Sequence, residues 1–248
     1  MSGGAVAVAV SGGVDSVALL AAARARGLDP DVLHFHHGTR PECQAEWEWV
    51  SSLAGERFRG HRLELPPGPD LQRRAREARY GVMDASPYDT ILLGHHRDDQ
   101  VETVLDRLSR GGGSASLGMA RRRGRYLRPW LDRSRQEILD FAQAQGLTWM
   151  EDPSNGRGNR GGLRHQVIPA LTALRPGAMR GIARSARLLA QDDALLQSLA
   201  AALLERGSAA ASALRAAPEP LARRAVLALA PGRGVEARHI DALLAGAR

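Results

Sequence analysis

Residues 5–16 read Ala-Val-Ala-Val-Ala-Val-Ser-Gly-Gly-Val-Asp-Ser, and no other stretch restricts the fold as strongly. Six small and β-branched residues suit a buried strand, Ser-Gly-Gly breaks the run, and Val17, Ala18, Leu19 and Leu20 then continue into an Ala/Leu/Arg-rich helical segment. The glycines therefore sit in a strand-to-helix turn. Without Cβ atoms at Gly12 and Gly13, backbone N–H groups can face outward, and the positive end of the helix dipole adds a pull on anions. This is a seat for phosphate. It is not the lysine-bearing P-loop, because no Gly-Lys-Ser/Thr follows and the chain contains no lysine. Ser11 and Ser16 offer hydroxyls instead, and Asp15 offers a carboxylate that could hold Mg²⁺ against phosphate oxygens.

The pattern then repeats. The first helix ends near Arg26-Gly27, Asp31 to His36 reads as a second strand, and Gly38-Thr39-Arg40-Pro41 turns into a helix from Glu42 to about Arg57. His61 to Leu65 reads as a third strand closed by a Pro-rich turn, Asp70 to about Asp84 as a helix, and Thr90 to Leu93 as a fourth strand ending in Gly94-His95-His96. Strands alternating with helices of this length predict a doubly wound parallel sheet with helices on both faces. Ligands bind such sheets beyond the carboxyl ends of the strands, so four loops, Ser11–Ser16, His36–Arg40, the Pro-rich turn Pro66–Pro69 and Gly94–Asp99, should share one rim.

The last of these loops opens a helix, Arg97 to Ser109. Asp99 and Glu102, three residues apart, lie on one face near its start, where the dipole favours carboxylates. Most such acids only stabilise the first turn. Here His95 precedes them at a strand end, and a carboxylate pair aimed at the rim could receive an ammonium group and take its proton. On the preceding helix Arg73, Arg76 and Arg79 form a basic stripe, one member of which could grip a phosphate or nucleotide.

Downstream, Arg121, Arg122, Arg123, Arg125 and Arg128 crowd a Gly-bounded loop around Tyr126, a composition suited to RNA backbone. Tyr126 to Leu131 reads as an edge strand, and Ser134 as the cap of a helix with Glu137 in capping-box position. After residue 155 composition shifts to Ala, Leu and Arg at helical spacing, with helices expected over Arg164–Leu174, Ala178–Arg206, Pro220–Leu229 and Val235–Ala247. We therefore place an α/β domain at 1–155 and a small basic all-α domain at 156–248.

Charge follows that division: residues 1–152 carry 20 Arg against 21 acids, whereas 153–248 carry 14 against 6. A near-neutral first part and a basic tail suggest that the tail meets a polyanion. The single cysteine, Cys43, leaves no intrachain disulfide and no Cys-pair relay. No apolar run is long enough to cross a membrane and no signal peptide is read, so a cytoplasmic protein without membrane partners is expected. The clusters His34, His36, His37 and His95, His96 lack the accompanying Cys or spaced carboxylates of a zinc site.

Several strings together resemble the tRNA(Ile)-lysidine synthetases, a branch of the PP-loop ATP pyrophosphatases. They are Ser-Gly-Gly-Val-Asp-Ser at 11–16, His37-Gly38 with Arg40-Pro41-Glu42, Ala75-Arg76-Glu77-Ala78-Arg79-Tyr80, and Gly94 through Thr103. Arg110-Gly111, Leu117-Gly118-Met119, Arg128-Pro129-Trp130-Leu131, Glu151 through Asn155 and Arg164-His165 complete the set. The resemblance implies a two-step reaction. ATP adenylates the C2 oxygen of the wobble cytidine of an isoleucine tRNA with a CAU anticodon, releasing pyrophosphate, and the ε-amine of L-lysine then displaces AMP. It implies ATP contact at Ser11, Gly12, Gly13, Val14, Asp15, Ser16, His37, Gly38 and His95. Lysine would be received by Asp99 and Glu102 with help from Arg79, Mg²⁺ would sit at Asp15, and tRNA would be met by Arg121, Arg122, Arg123, Arg125, Arg160 and Arg164. Catalysis would rest on Asp15, Arg79, His95, Asp99 and Glu102. A homodimer is left open.

Three departures stand out. His36 replaces an aspartate usual to the family; Arg160-Gly161-Gly162-Leu163-Arg164-His165 has lost one basic side chain and stiffening residues; and longer members carry further C-terminal modules. Alternatives are another PP-loop tRNA modifier, an amide-forming ligase on a small molecule, or a nucleotide- and RNA-binding module without catalysis.

Overall fold

The structure is a computed structural model; it describes residues 4–38, 42–65, 68–112, 118–151, 159–205 and 216–229, apart from the side chains of Glu42, Asn159 and Arg160. The expected helix at Val235–Ala247 lies outside the described residues, as do Arg40, Pro41 and 152–155. Among the described residues no helix is long and apolar enough to cross a membrane.

The chain forms two compact units. The larger comprises Met1–Asp106 and Gly118–Ala183, the smaller Arg107–Leu117 and Arg184–Arg248. The larger unit thus reaches past residue 155, where composition puts a boundary, and one reason is a side-chain bond from Arg164 back to Glu102.

In the larger unit β1 (Val6–Ala9) runs into α1 (Val14–Arg24), β2 (Asp31–His36), α2 (Glu42–Ala54) and β3 (Phe58–Arg62). Then come α3 (Leu71–Ala85), β4 (Thr90–Leu92), α4 (Arg97–Ser109), β5 (Arg122–Arg123), β6 (Tyr126–Leu127) and α5 (Arg135–Ala144). The sheet order is β3-β2-β1-β4-β6-β5, parallel throughout except for the edge strand β5. The chain steps outward from β1 through β2 to β3, then returns to the other side of β1 with β4, pairing Ala7 with Ile91. Between β1 and β4 the winding reverses, and the loops after these two strands diverge around a crevice.

Both faces of the sheet are covered, which is why its central strands read as unbroken apolar runs. Side chains alternate along a strand: Val8, Val10, Val32 and Leu92 pack under Val17, Leu20 and Val50 from α1 and α2. Ala7, Leu33, Phe35, Ile91 and Leu93 pack against Met83 of α3, with Tyr88 and Tyr126. Val8, with no exposure, contributes about 2 kcal/mol of apolar burial. Helix α1 is buried on nearly all sides because α5 closes its outer flank through Ile138 and Ala142 against Val14 and Ala18.

Two strands differ from the sequence expectation. The third lies at Phe58–Arg62 rather than His61–Leu65, because Trp47 packs edge-on against Phe58 and over Gly60, where an added Cβ would stand 2.2 Å from the indole. The segment expected as one edge strand from Tyr126 to Leu131 pairs for only two residues and lies inside the edge, which belongs to β5.

Beyond α5 the larger unit continues through α6 (Asn159–Gly162), a wider π-type turn at Leu163–Val167, and α7 (Ile168–Leu174); α8 (Ala178–Leu204) leads into the smaller unit, which also holds α9 (Glu219–Leu229). There α8 and α9 are tied by Arg224, whose Nε and Nη2 donate to Asp193 Oδ1 at 2.9 and 2.6 Å, while Gln197 donates to Oδ2 at 2.6 Å. Asp193 is buried, so this pairing satisfies a charge that would otherwise be costly.

Helix α5 begins with the reciprocal cap expected from Ser134 and Glu137: the Ser134 hydroxyl accepts from the Glu137 N–H, and the Glu137 carboxylate accepts from the Ser134 N–H at 2.7 Å. The Ser134 N–H, then its hydroxyl, hold the Glu137 carboxyl down to about 2. A lowered carboxylate stabilises the fold above its ordinary value of 4.5 and ceases to as pH falls through about 2. Ser134→Ala should therefore cost about 1 kcal/mol at neutral pH. The deficit should shrink below pH 4.5, read from urea unfolding by the fluorescence of Trp130 and Trp149, which pack against α5.

Candidate active site

The loop between β1 and α1 is organised from within. Gly12 has φ +100°, a conformation that side chains disfavour, and its carbonyl accepts from the Met150 N–H at 3.0 Å. The Ser16 hydroxyl donates to Gly13 O at 2.9 Å and accepts from the Ser11 N–H at 3.2 Å. Ser16 is thereby committed to holding the turn, and Ser11 is the more exposed of the two hydroxyls. No side chain caps α1 at Gly13, so the first amides of the helix are left to an anion. After β4 the chain passes so close to this turn that a Cβ on Gly94 would stand 3.2 Å from the Asp15 carbonyl. Both loops therefore border one crevice.

A cavity of about 340 Å³ fills that crevice, bordered by Ser11, Gly13, Asp15, Ser16, His37, Arg79, His95 and Asp99. A second cavity of about 350 Å³ adjoins it, bordered by Asp15, His96, Asp99, Arg135, Glu151 and Arg164. Asp15 and Asp99 border both. The phosphate seat and the acidic start of α4 thus face a common cleft, as their loop positions predict. Gly38 is not among the described residues bordering either cavity.

His96 joins the two carboxylates. Its Nε2 lies 3.6 Å from Asp15 Oδ2 and 3.4 Å from Asp99 Oδ2. Its backbone N–H donates to Asp99 Oδ2 at 3.1 Å, and its Nδ1 accepts from the Asp99 N–H at 3.4 Å, a reciprocal closure of the head of α4. Burial pushes the His96 imidazolium down, but Asp15 and Asp99 outweigh it, so its pKa stands above 6.5. Asp99 is raised, chiefly by burial with help from Glu102 and Asp15, against the opposing pull of His96. Asp15 Oδ1 is buried without a protein partner among the described residues, and an unpaired buried carboxylate oxygen beside a phosphate seat fits a cation such as Mg²⁺. Among the described residues no cluster of three or more His, Cys, Asp or Glu could hold a metal alone, so phosphate oxygens would have to complete the coordination.

His95 and Arg79 form the opposite wall. Burial, then Arg128, Arg76 and Arg79, push His95 down to about 3, so its ring is neutral at physiological pH. Arg79 is lowered by burial and by Arg76, and both its Nε and His95 Nδ1 are buried without a protein partner among the described residues. Such groups are poised for an anion or a base edge.

Glu102 is less open than its position in sequence suggests. Arg164 Nε donates to its Oε1 at 2.7 Å, and only 2% of the residue is exposed. Asp99 is the accessible member of the pair.

The arginines expected to face RNA are unequally available. Arg121 is paired with Asp132 and donates to Pro129 O, Arg125 donates to Ser86 O at 2.7 Å, and Arg164 is held by Glu102. Arg122 and Arg123 are exposed on β5; the Arg160 side chain lies outside the described residues.

Sequence reasoning missed three participants. His96 was signalled by its place three residues before Asp99. Gln100 binds Met119 in both directions, at 3.0 and 2.7 Å, over Gly118, where a Cβ would meet the amide at 2.6 Å. Arg128, 4% exposed, is bonded to Ala120 O and adds charge beside His95.

NMR titration of the His96 ring should give a pKa above 6.5. Asp15→Asn removes a carboxylate that favours the imidazolium and should lower it; an unchanged value would mean that Asp15 does not bear on the ring.

The model of the PP-loop domain family matches residues 1–171. Proteins called tRNA(Ile)-lysidine synthase are similar over most of the chain. That of Ralstonia nicotianae is 39% identical over 98% of this chain and 59% of its own length, that of Deinococcus radiodurans 42% over 80% and 36%, and that of Vibrio cholerae 37% over 84% and 52%. The chain spans about half the length of the curated relatives it matches. Among solved structures, the U34-tRNA thiolase NcsA of Methanococcus maripaludis with its [4Fe-4S] cluster superposes with a TM-score of 0.58 at 18% identity, covering 75% of this chain and 72% of the thiolase, a likeness of fold. With the signature turn between β1 and α1, the sheet that reverses at β1 and β4, and a family match over more than half its length, the chain belongs to the PP-loop domain family.

Proposed function

We propose that the protein forms lysidine: it joins L-lysine to C2 of the wobble cytidine of an isoleucine tRNA with a CAU anticodon, at the expense of ATP, in the cytoplasm. The observation that carries this reading is the shared border of the two cavities at Asp15 and Asp99, which sets a phosphate seat against an amine receptor. The similarity to curated lysidine synthases supports it.

In the first step the C2 oxygen of cytidine attacks the α-phosphorus of ATP and pyrophosphate leaves. The α1 amides, Gly12, Gly13 and Ser11 hold the phosphates, and Asp15 would hold Mg²⁺, which would supply positive charge against the phosphate oxygens. Arg79 and neutral His95 supply donors for phosphate or for the cytidine edge. His95, at about 3, serves as a hydrogen-bonding group rather than a base. In the second step the ε-amine attacks C2, the C2–O bond breaks and AMP departs. Asp99 receives the ammonium, and its raised pKa suits it to take the proton that the amine must lose. Exposed Arg122 and Arg123 would meet the tRNA backbone.

Incubation with a CAU-anticodon isoleucine tRNA, ATP, Mg²⁺ and lysine should add lysine to the RNA by mass spectrometry. Asp99→Asn should still release pyrophosphate but lose lysine transfer by 10²-fold or more, the order expected for a lost general base. Undiminished incorporation would remove Asp99 from this role.

A further inference from the structure

Glu102 is almost wholly buried, and a carboxylate that deep is costly unless paired. Its partner is Arg164, bonded through Nε at 2.7 Å. The same guanidinium reaches toward Asp99 Oδ1, 3.9 Å from Nη2, and borders the cavity shared by Asp15, His96 and Asp99. A cation of the protein therefore already stands beside the place where an incoming ammonium would be received. The two contacts are unequal: that to Glu102 is short and buried, that to Asp99 long, with 34% of the Arg164 side chain exposed. Arg164 sits in the wider π-type turn of Leu163–Val167, a distortion often found at functional sites.

Resting on the amine-transfer reading above, we infer that Arg164 is a positioning residue: Glu102 acts by holding its guanidinium away from Asp99, which leaves Asp99 open to the substrate's ammonium. Without the Glu102 charge, Arg164 swings onto Asp99, already 3.9 Å from its Nη2, and competes with the amine. Without Arg164 the competition from its guanidinium is removed. A Glu102 that touched the amine itself would behave differently, because loss of Arg164 could not then repair loss of Glu102.

The test compares Glu102→Gln, Arg164→Gln and the double variant, with AMP release measured as lysine is varied at saturating tRNA and ATP. The expected KM for lysine rises about fivefold in Glu102→Gln and falls about fivefold in Arg164→Gln, the range of one partly exposed ion pair. In the double variant most of the rise disappears, and in all three KM moves more than kcat. A double variant as impaired as Glu102→Gln overturns the inference, as does a loss confined to kcat. A second arm needs no turnover: n-butylammonium, which carries only the amine, is titrated against each protein and followed at the His96 ring by NMR. Tighter binding by Arg164→Gln and weaker binding by Glu102→Gln supports the inference, and equal affinities overturn it. A wild-type protein that releases no AMP in response to lysine would sink the lysidine reading, and the butylammonium series would still decide the role of Arg164.

Discussion

Asp15 at the head of α1 and Asp99 at the head of α4 face each other across the crevice that β1 and β4 open at their ends, and His96 Nε2 stands between them, 3.6 and 3.4 Å from their Oδ2 atoms, on a residue 2% exposed. The same residue closes the first turn of α4 by exchanging bonds with Asp99. Local helix capping and long-range charge balance thus meet in one side chain. Neither carboxylate is held so tightly that it is spent: Asp15 keeps one oxygen unpaired, and Asp99 borders both cavities.

That arrangement depends on backbone approaches only glycine allows. Gly12 turns the chain through a positive φ so that the α1 amides face the cavity, and Gly94 lets the end of β4 come within van der Waals reach of the Asp15 backbone. A parallel sheet that reverses its winding between adjacent strands gives two helix heads a common exit, and here each strand is followed by a glycine, Gly12 or Gly94, in the loop that uses it.

What was legible in the sequence was local. The turn at 11–16, the extent of α4 and the Ser134 cap each depend on neighbours within a few residues, and periodicity or spacing reveals them. The third strand slipped because its position is set by a tryptophan on another element, Trp47, stacking over Gly60. The arginine burst read as an open loop, yet Arg121 is paired with Asp132 and Arg125 donates to the Ser86 carbonyl just after α3. Arg164 looked like a surface cation for the same reason: its partner, Glu102, is 62 residues away. Charge composition reports how many cations a chain carries and is silent about which are already bound.

The absence of lysine gives the phosphate seat its character. A lysine ammonium can follow a moving phosphate on a flexible stem, whereas this cleft offers backbone amides, a half-buried guanidinium and an imidazole kept neutral by burial and by its arginine neighbours. In the proposed adenylation none of these donors would need to reorient as charge shifts from the α-phosphate toward the departing pyrophosphate. Fixed dipoles in a partly desolvated site stabilise developing charge with little reorganisation. They do so only where they are aimed, so the value of the site lies in the rigidity of its supports: the Ser16 clasp on Gly13, the Met150 amide on Gly12, and the paired core layers beneath β1.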